Sequence, residues 1–125
     1  MMALDASALL ALLFREPGHQ RVAQVLGDCC MSTLNLSEVL GRFARDGHSP
    51  ADVWARLRAT PIEWVPFTDA MAMTAAQLLP KTRAQGLSLG DRACLALALT
   101  RGIPAVTTDR HWAELGLGIQ VELIR

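Results

Sequence analysis

The sequence predicts an α/β fold on a mainly parallel central sheet, with helices on both faces. Short apolar pieces of strand character alternate along the chain with longer helical ones, the order that builds crossover units. Right-handed crossovers then distribute the helices over both faces of the sheet. Size agrees: 125 residues, 51% apolar and 19% charged, make one domain with room for a proper core. No linker, repeat or low-complexity stretch divides residues 1–125, so they read as a single domain.

In order, residues 2–5 (MALD) make a brief strand, and ASALLALLFR runs as a helix that stops at Pro17-Gly18. A second helix covers 19–27, before a strand at 30–33 (CMST). Asn35 is placed to cap the helix LSEVLGRFARDG, with Gly47 at its C-terminal end. Pro50 opens another helix reaching residue 59. IEWVPF (62–67) reads as a strand, its Pro66 placing it near an edge or strand end. Thr68 caps TDAMAMTAAQLL, which is interrupted or kinked at Pro80. SLGDRACLALALTRG is a helix closed by Gly102, AVTT (105–108) a strand, RHWAEL a short helix and VELI (121–124) the last strand.

Composition narrows the setting. No basic region with a cleavage site opens the chain, and no apolar stretch approaches the ~20 residues of a membrane span. Cys29, Cys30 and Cys94 are odd in number, lack a Cys-x-x-Cys spacing and include an adjacent pair, which points to a reducing cytoplasm. Net charge is zero, so nothing pulls the whole chain toward nucleic acid. Lys81 is the only lysine among the basic residues. Arginine suits bidentate phosphate contact, although a GC-rich coding sequence accounts for the same bias.

In parallel sheets the functional crevice lies beyond the C-terminal strand ends, where strand order reverses. Asp5 follows the first strand and Asp109 the AVTT strand; Glu38 and Asp91 fall in the first turns of helices. Each acid has a structural reading. Asp5 and Asp109 can cap the helices after them, Ser88 and Asp91 form a capping-box signature, and Glu38 can pair with Arg42. Glu38 lies opposite the stripe Leu36, Val39, Leu40 and Phe43, so it faces solvent or a cleft. Asp91 opens a helix that is apolar or small from Ala93 to Leu99, where an unpartnered carboxylate is costly. If the four converge, their repulsion requires raised pKa values or a bound cation. His19, His48 and His111 are scattered, so zinc is not indicated. An all-oxygen cluster suits Mg²⁺ or Mn²⁺, the arrangement of metal-assisted phosphodiester hydrolysis. Trp54, Trp64 and Trp112 could stack on bases but are expected in the core or an interface; Leu12, Leu13, Phe14, Met71 and Met73 are expected in the core, with a dimer seam or a partner groove as the alternative.

The segments LDASALLALL, STLNLSEVLGRFAR, LSLGDRACLALAL and TTDRHW, in this order and at these intervals, resemble PIN-domain ribonucleases, and most of all VapC-type toxins of toxin–antitoxin pairs. The resemblance runs from residue 3 to about 124. It implies a three-layer α/β/α sandwich and a catalytic, metal-binding quartet of Asp5, Glu38, Asp91 and Asp109. It also implies a supporting polar residue near the first acid, Ser7, and another just before the fourth, Thr107 or Thr108. Arg42 and Arg92 become candidates for RNA-phosphate contact. A small antitoxin partner and a homodimer are implied as well. The contrasting possibility is a PIN-like module that binds RNA or protein without cutting. A haloacid-dehalogenase phosphatase needs a second Asp where Ser7 stands; a receiver domain needs a lysine after a strand; a dinucleotide-binding module needs Gly-x-Gly-x-x-Gly.

Overall fold

The computed structural model describes all 125 residues. Five short strands, β1 (Met2–Leu4), β2 (Cys29–Ser32), β3 (Glu63–Val65), β4 (Ala105–Thr107) and β5 (Val121–Leu123), form one sheet. Their order is β3-β2-β1-β4-β5, and every neighbouring pair is parallel. The helices are α1 (Ala6–Leu13), α2 (His19–Val25), α3 (Thr33–Arg45), α4 (Pro50–Leu57), α5 (Asp69–Gln77), α6 (Leu79–Thr82) and α7 (Leu89–Arg101). Three 3₁₀ turns, at Leu26–Asp28, Arg83–Gln85 and Arg110–Glu114, complete the chain.

Alternation along the strands builds two cores, because successive side chains leave a strand on opposite faces. Ala3, Cys30 and Ala105 face one way, packing with Ala75, Leu78 and the run Cys94–Ala98 of α5 and α7. Leu4, Cys29, Met31 and Val106 face the other, against Ala8, Leu9, Val22, Val39 and Leu57 of α1 to α4. The result is the expected sandwich of helices, parallel sheet and helices. Helix α7 is buried over most of its circumference, as its small and apolar run requires, and Gly102 ends it at φ +63°.

The chain runs outward from β1 through β2 to β3, then crosses to β4 on the other side of β1. The strand order therefore reverses between β1 and β4, and the crevice of a parallel sheet belongs at their carboxyl ends. Ala3 pairs with Ala105 and Leu4 with Val106, which brings Asp5 level with Thr107.

Several boundaries differ from expectation. Ser32, whose hydroxyl accepts from Leu34 N at 3.2 Å, caps α3, and Asn35 lies inside that helix. The strand leads into the helix without a linker, so the earlier of two cap-competent residues takes the role. Glu38 accordingly sits in the second turn, not the first. At Pro80 the helix is interrupted, not kinked: Pro80 lies in the first turn of the separate short helix α6, where its missing N–H is harmless. RHWAEL is a 3₁₀ turn. Trp112 is buried, and Trp54 packs edge-on against Trp64. Leu13, Phe14 and Met73, expected in the core, are exposed. Leu13 and Phe14 end a helix that is apolar nearly all round, so composition does not say which side faces in, whereas Met73 lies between Asp69 and Gln77 at i−4 and i+4, on the polar side of α5.

Candidate active site

Asp5 leaves β1 in an extended conformation and caps α1, its Oδ1 accepting from Ala8 N at 2.8 Å. The same oxygen accepts from Ser7 Oγ at 2.7 Å, and Oδ2 accepts from Thr107 Oγ1 at 2.5 Å. A carboxylate offers about four acceptor positions, so these three bonds leave one on Oδ2. Asp5 is 4% exposed, and burial pushes its pKa up to about 6 against the pull of Thr107, Ser7 and Ala8 N; the charge of Asp91 adds to the rise. The choice between the two threonines is decided here. Thr107, fully buried, supplies the hydroxyl; Thr108 supplies only its backbone N–H, donated to Ser7 Oγ at 3.1 Å.

Asp91 stands in the first turn of α7 in a reciprocal capping box. Its N–H donates to Ser88 Oγ at 3.2 Å, and its Oδ2 accepts from Ser88 N at 2.9 Å. The cap uses Oδ2 and sets the carboxylate at the mouth of the buried helix. Glu38 accepts from Asn35 Nδ2 at 2.8 Å through Oε1. Its pKa is raised, chiefly by desolvation, with Asn35 pulling it down and the Asp91 charge pushing it up. The Asp91 charge thus makes a small contribution to the rise at both Asp5 and Glu38.

Asp109 joins the group through its backbone. Its N–H donates to Thr107 Oγ1 at 3.1 Å, while its Oδ1 accepts from His111 N at 2.9 Å and lies 3.0 Å from His111 Nδ1. That carboxylate caps its own 3₁₀ turn. Arg42 pairs with Asp46, not Glu38, and its guanidinium lies over the Phe14 ring. Arg92 donates from Nη1 to the Ala75 carbonyl at 3.0 Å, tying α7 to α5. The residue missed in the sequence is Asn35, 1% exposed and bonded to Glu38 and to the Gly90 carbonyl. The spacing Asn35-x-x-Glu38, one helical turn, was the available signal.

A family model described as PIN domain matches residues 2–117. The chain belongs to the PIN-domain family. Solved structures share this PIN fold along nearly the whole chain. A toxin–antitoxin complex from Klebsiella pneumoniae matches with a TM-score of 0.77 at 16% identity, covering 100% of this chain and 98% of that one. Mycobacterium tuberculosis VapC20, described as a sarcin–ricin loop cleaving toxin, matches at 0.77 and 21%, covering 96% and 99%. DNA-bound VapBC from Salmonella typhimurium matches at 0.73 and 18%, covering 99% and 98%. No curated protein sequence matches the chain.

The donors of this PIN domain fit a hard divalent cation. All four side chains offer oxygen, and the Asp5–Asp91 and Asp91–Glu38 repulsions are those a cation relieves. No three His, Cys, Asp or Glu side chains form a ready-made cage.

Proposed function

We propose that this PIN domain is a ribonuclease that hydrolyses RNA phosphodiester bonds with Mg²⁺ or Mn²⁺, and that it is the toxin of a VapBC-type toxin–antitoxin pair. The carrying observation is the joining of Asp5 to Thr107 across the β1/β4 reversal, with Glu38 seated against Gly90, the neighbour of Asp91. The structural relatives, a toxin–antitoxin complex and a sarcin–ricin loop cleaving toxin, support the same reading.

Asp5, Asp91, Asp109 and Glu38 would hold the cation, directly or through water. Bound there, it supplies Lewis acidity toward a phosphoryl oxygen and lowers the pKa of a water. The chain's own residues do the positioning. Ser7 and Thr107 pin the Asp5 carboxylate and compensate part of its burial. The Ser88 cap holds Asp91 at the crevice edge. Arg42 and Arg92 are the candidates for binding RNA phosphates, in which guanidinium geometry favours bidentate contact. Exposed Leu13 and Phe14 offer apolar surface for a small antitoxin protein. The reading includes a homodimer working in the cytoplasm, where three unpaired buried thiols are at home.

The test is a labelled RNA incubated with the purified protein while Mg²⁺ or Mn²⁺ is titrated. Cleavage that requires the cation and disappears in Asp91→Asn is expected. No cation-dependent cleavage, with Asp91→Asn behaving as the parent does, sinks the nuclease and leaves a PIN-like module that binds RNA or protein without cutting.

A further inference from the structure

Glu38 is held by a device that neither the capping pattern nor the acid quartet accounts for. Asn35 is buried, and its Nδ2 donates twice: to Glu38 Oε1 at 2.8 Å and to the Gly90 carbonyl at 2.9 Å. Both partners are acceptors, so the amide can face them only with its nitrogen. Its Oδ1 is left buried without a hydrogen-bond partner. A buried unpartnered amide oxygen costs free energy. Asn35 is therefore not explained by stability alone.

Gly90 completes the arrangement. It lies in the first turn of α7, next to Asp91, and its helical backbone does not require glycine. What requires it is space: a Cβ there would overlap Oε1, Oε2 and Cδ of Glu38. The carboxylate of an α3 residue thus lies flat on the α-carbon of α7, one residue from Asp91.

We propose that Asn35 and Gly90 form a socket for the Glu38 carboxylate, and that both are positioning residues holding Glu38 beside Asp91 for a divalent cation. The inference rests on the metal-dependent reading above. Asn35 fixes one carboxylate oxygen and ties α3 to the start of α7, so the two acids move as one unit. Gly90 permits the close approach. Groups that orient metal-binding carboxylates typically govern affinity by tenfold to a hundredfold.

Gly90→Ala separates this role from a structural one, because the two predict opposite signs. Alanine is the better helix residue, and the atoms it meets are the far end of a flexible side chain, so the metal-free protein should melt no lower than the parent. Mn²⁺ binding, followed by loss of the free-ion electron paramagnetic resonance signal, should nevertheless weaken about tenfold or more. Asn35→Leu, similar in shape and without donors, should weaken it comparably. Neither change should add to the loss caused by Glu38→Gln in the double variants. Unchanged Mn²⁺ affinity in Gly90→Ala, or losses that add in full to Glu38→Gln, overturns the socket.

A crystal structure of Asn35→Leu grown in EDTA decides the point independently of any cation. Glu38 should leave the Gly90 α-carbon; a Glu38 that stays overturns the proposal. Should the parent protein bind no Mn²⁺, the metal-dependent reading falls, and the EDTA structure still judges the socket.

Discussion

The hydroxyl of Thr107 donates to Asp5 Oδ2 at 2.5 Å, joining two residues 102 positions apart across the point where the strand order reverses. It stands in the place where the sheet is expected to open a crevice, and it links the first acid to the backbone of the fourth.

Thr107→Val keeps the shape and removes the donor. With Asp5 ionised, loss of a hydrogen bond to a buried charged group should cost about 1.5–3 kcal/mol. Urea unfolding at pH 8 in EDTA measures it. Thr107→Ser, which retains the hydroxyl, should keep most of the stability; equal losses in the two variants would mean the methyl group and not the bond matters.

Asp5 also sets a pH dependence. Its native pKa of about 6 lies above the ordinary value of 3.8, so the folded protein keeps a proton that the unfolded chain has released. Stability is therefore lost as pH rises from about 4 to about 6, by about 3 kcal/mol over that span. The contribution is fully present below the lower value. In EDTA, Asp5→Asn should remove this component, so the difference between parent and variant changes across that window and is flat above it. A parent that gains on the variant with rising pH would contradict the assignment.

Ser88 and Asp91 should separate in their effects. Ser88→Ala removes the N-cap and should cost about 1 kcal/mol in stability. Asp91→Asn keeps an oxygen for the Ser88 N–H and should change stability by less than about 0.5 kcal/mol, while abolishing cation-dependent cleavage. Thermal melting paired with the RNA assay reads both.

Gly18→Ala should behave unlike Gly90→Ala. Gly18 has φ +95°, and an added Cβ would overlap the backbone carbonyl of Ile124, which cannot swing aside as a side chain does. The conformational penalty alone is about 1–2 kcal/mol. The denaturant midpoint should fall in Gly18→Ala and should not fall in Gly90→Ala.

The layers were legible because the signals were redundant. Strand pieces alternated with helices, and Gly102, Pro50 and Thr68 occupy the terminal positions read for them. Asp5 and Asp91 were legible because element junctions are marked by local chemistry. Asn35 was misread for the same reason: Ser32 and Asn35 are both competent caps, and the hydrogen bonds to Glu38 and Gly90 depend on packing of α3 against α7, which no local pattern encodes. Thr107 could not be separated from Thr108 without the pairing of β1 with β4. Asp109 was found at its place after β4, but the direction of its carboxylate, toward His111, is a property of the turn.

The central strand comes from the beginning of the chain, and its partner on the far side from residues beyond 100. Asp5 precedes by 102 residues the hydroxyl that pins it. Without β4 that edge of β1 has no neighbour, and the crevice has only one wall. A chain lacking β4 carries Asp5, Glu38 and Asp91 without the hydroxyl that pins the first of them. This edge of the sheet can close only once residues 105–107 are present.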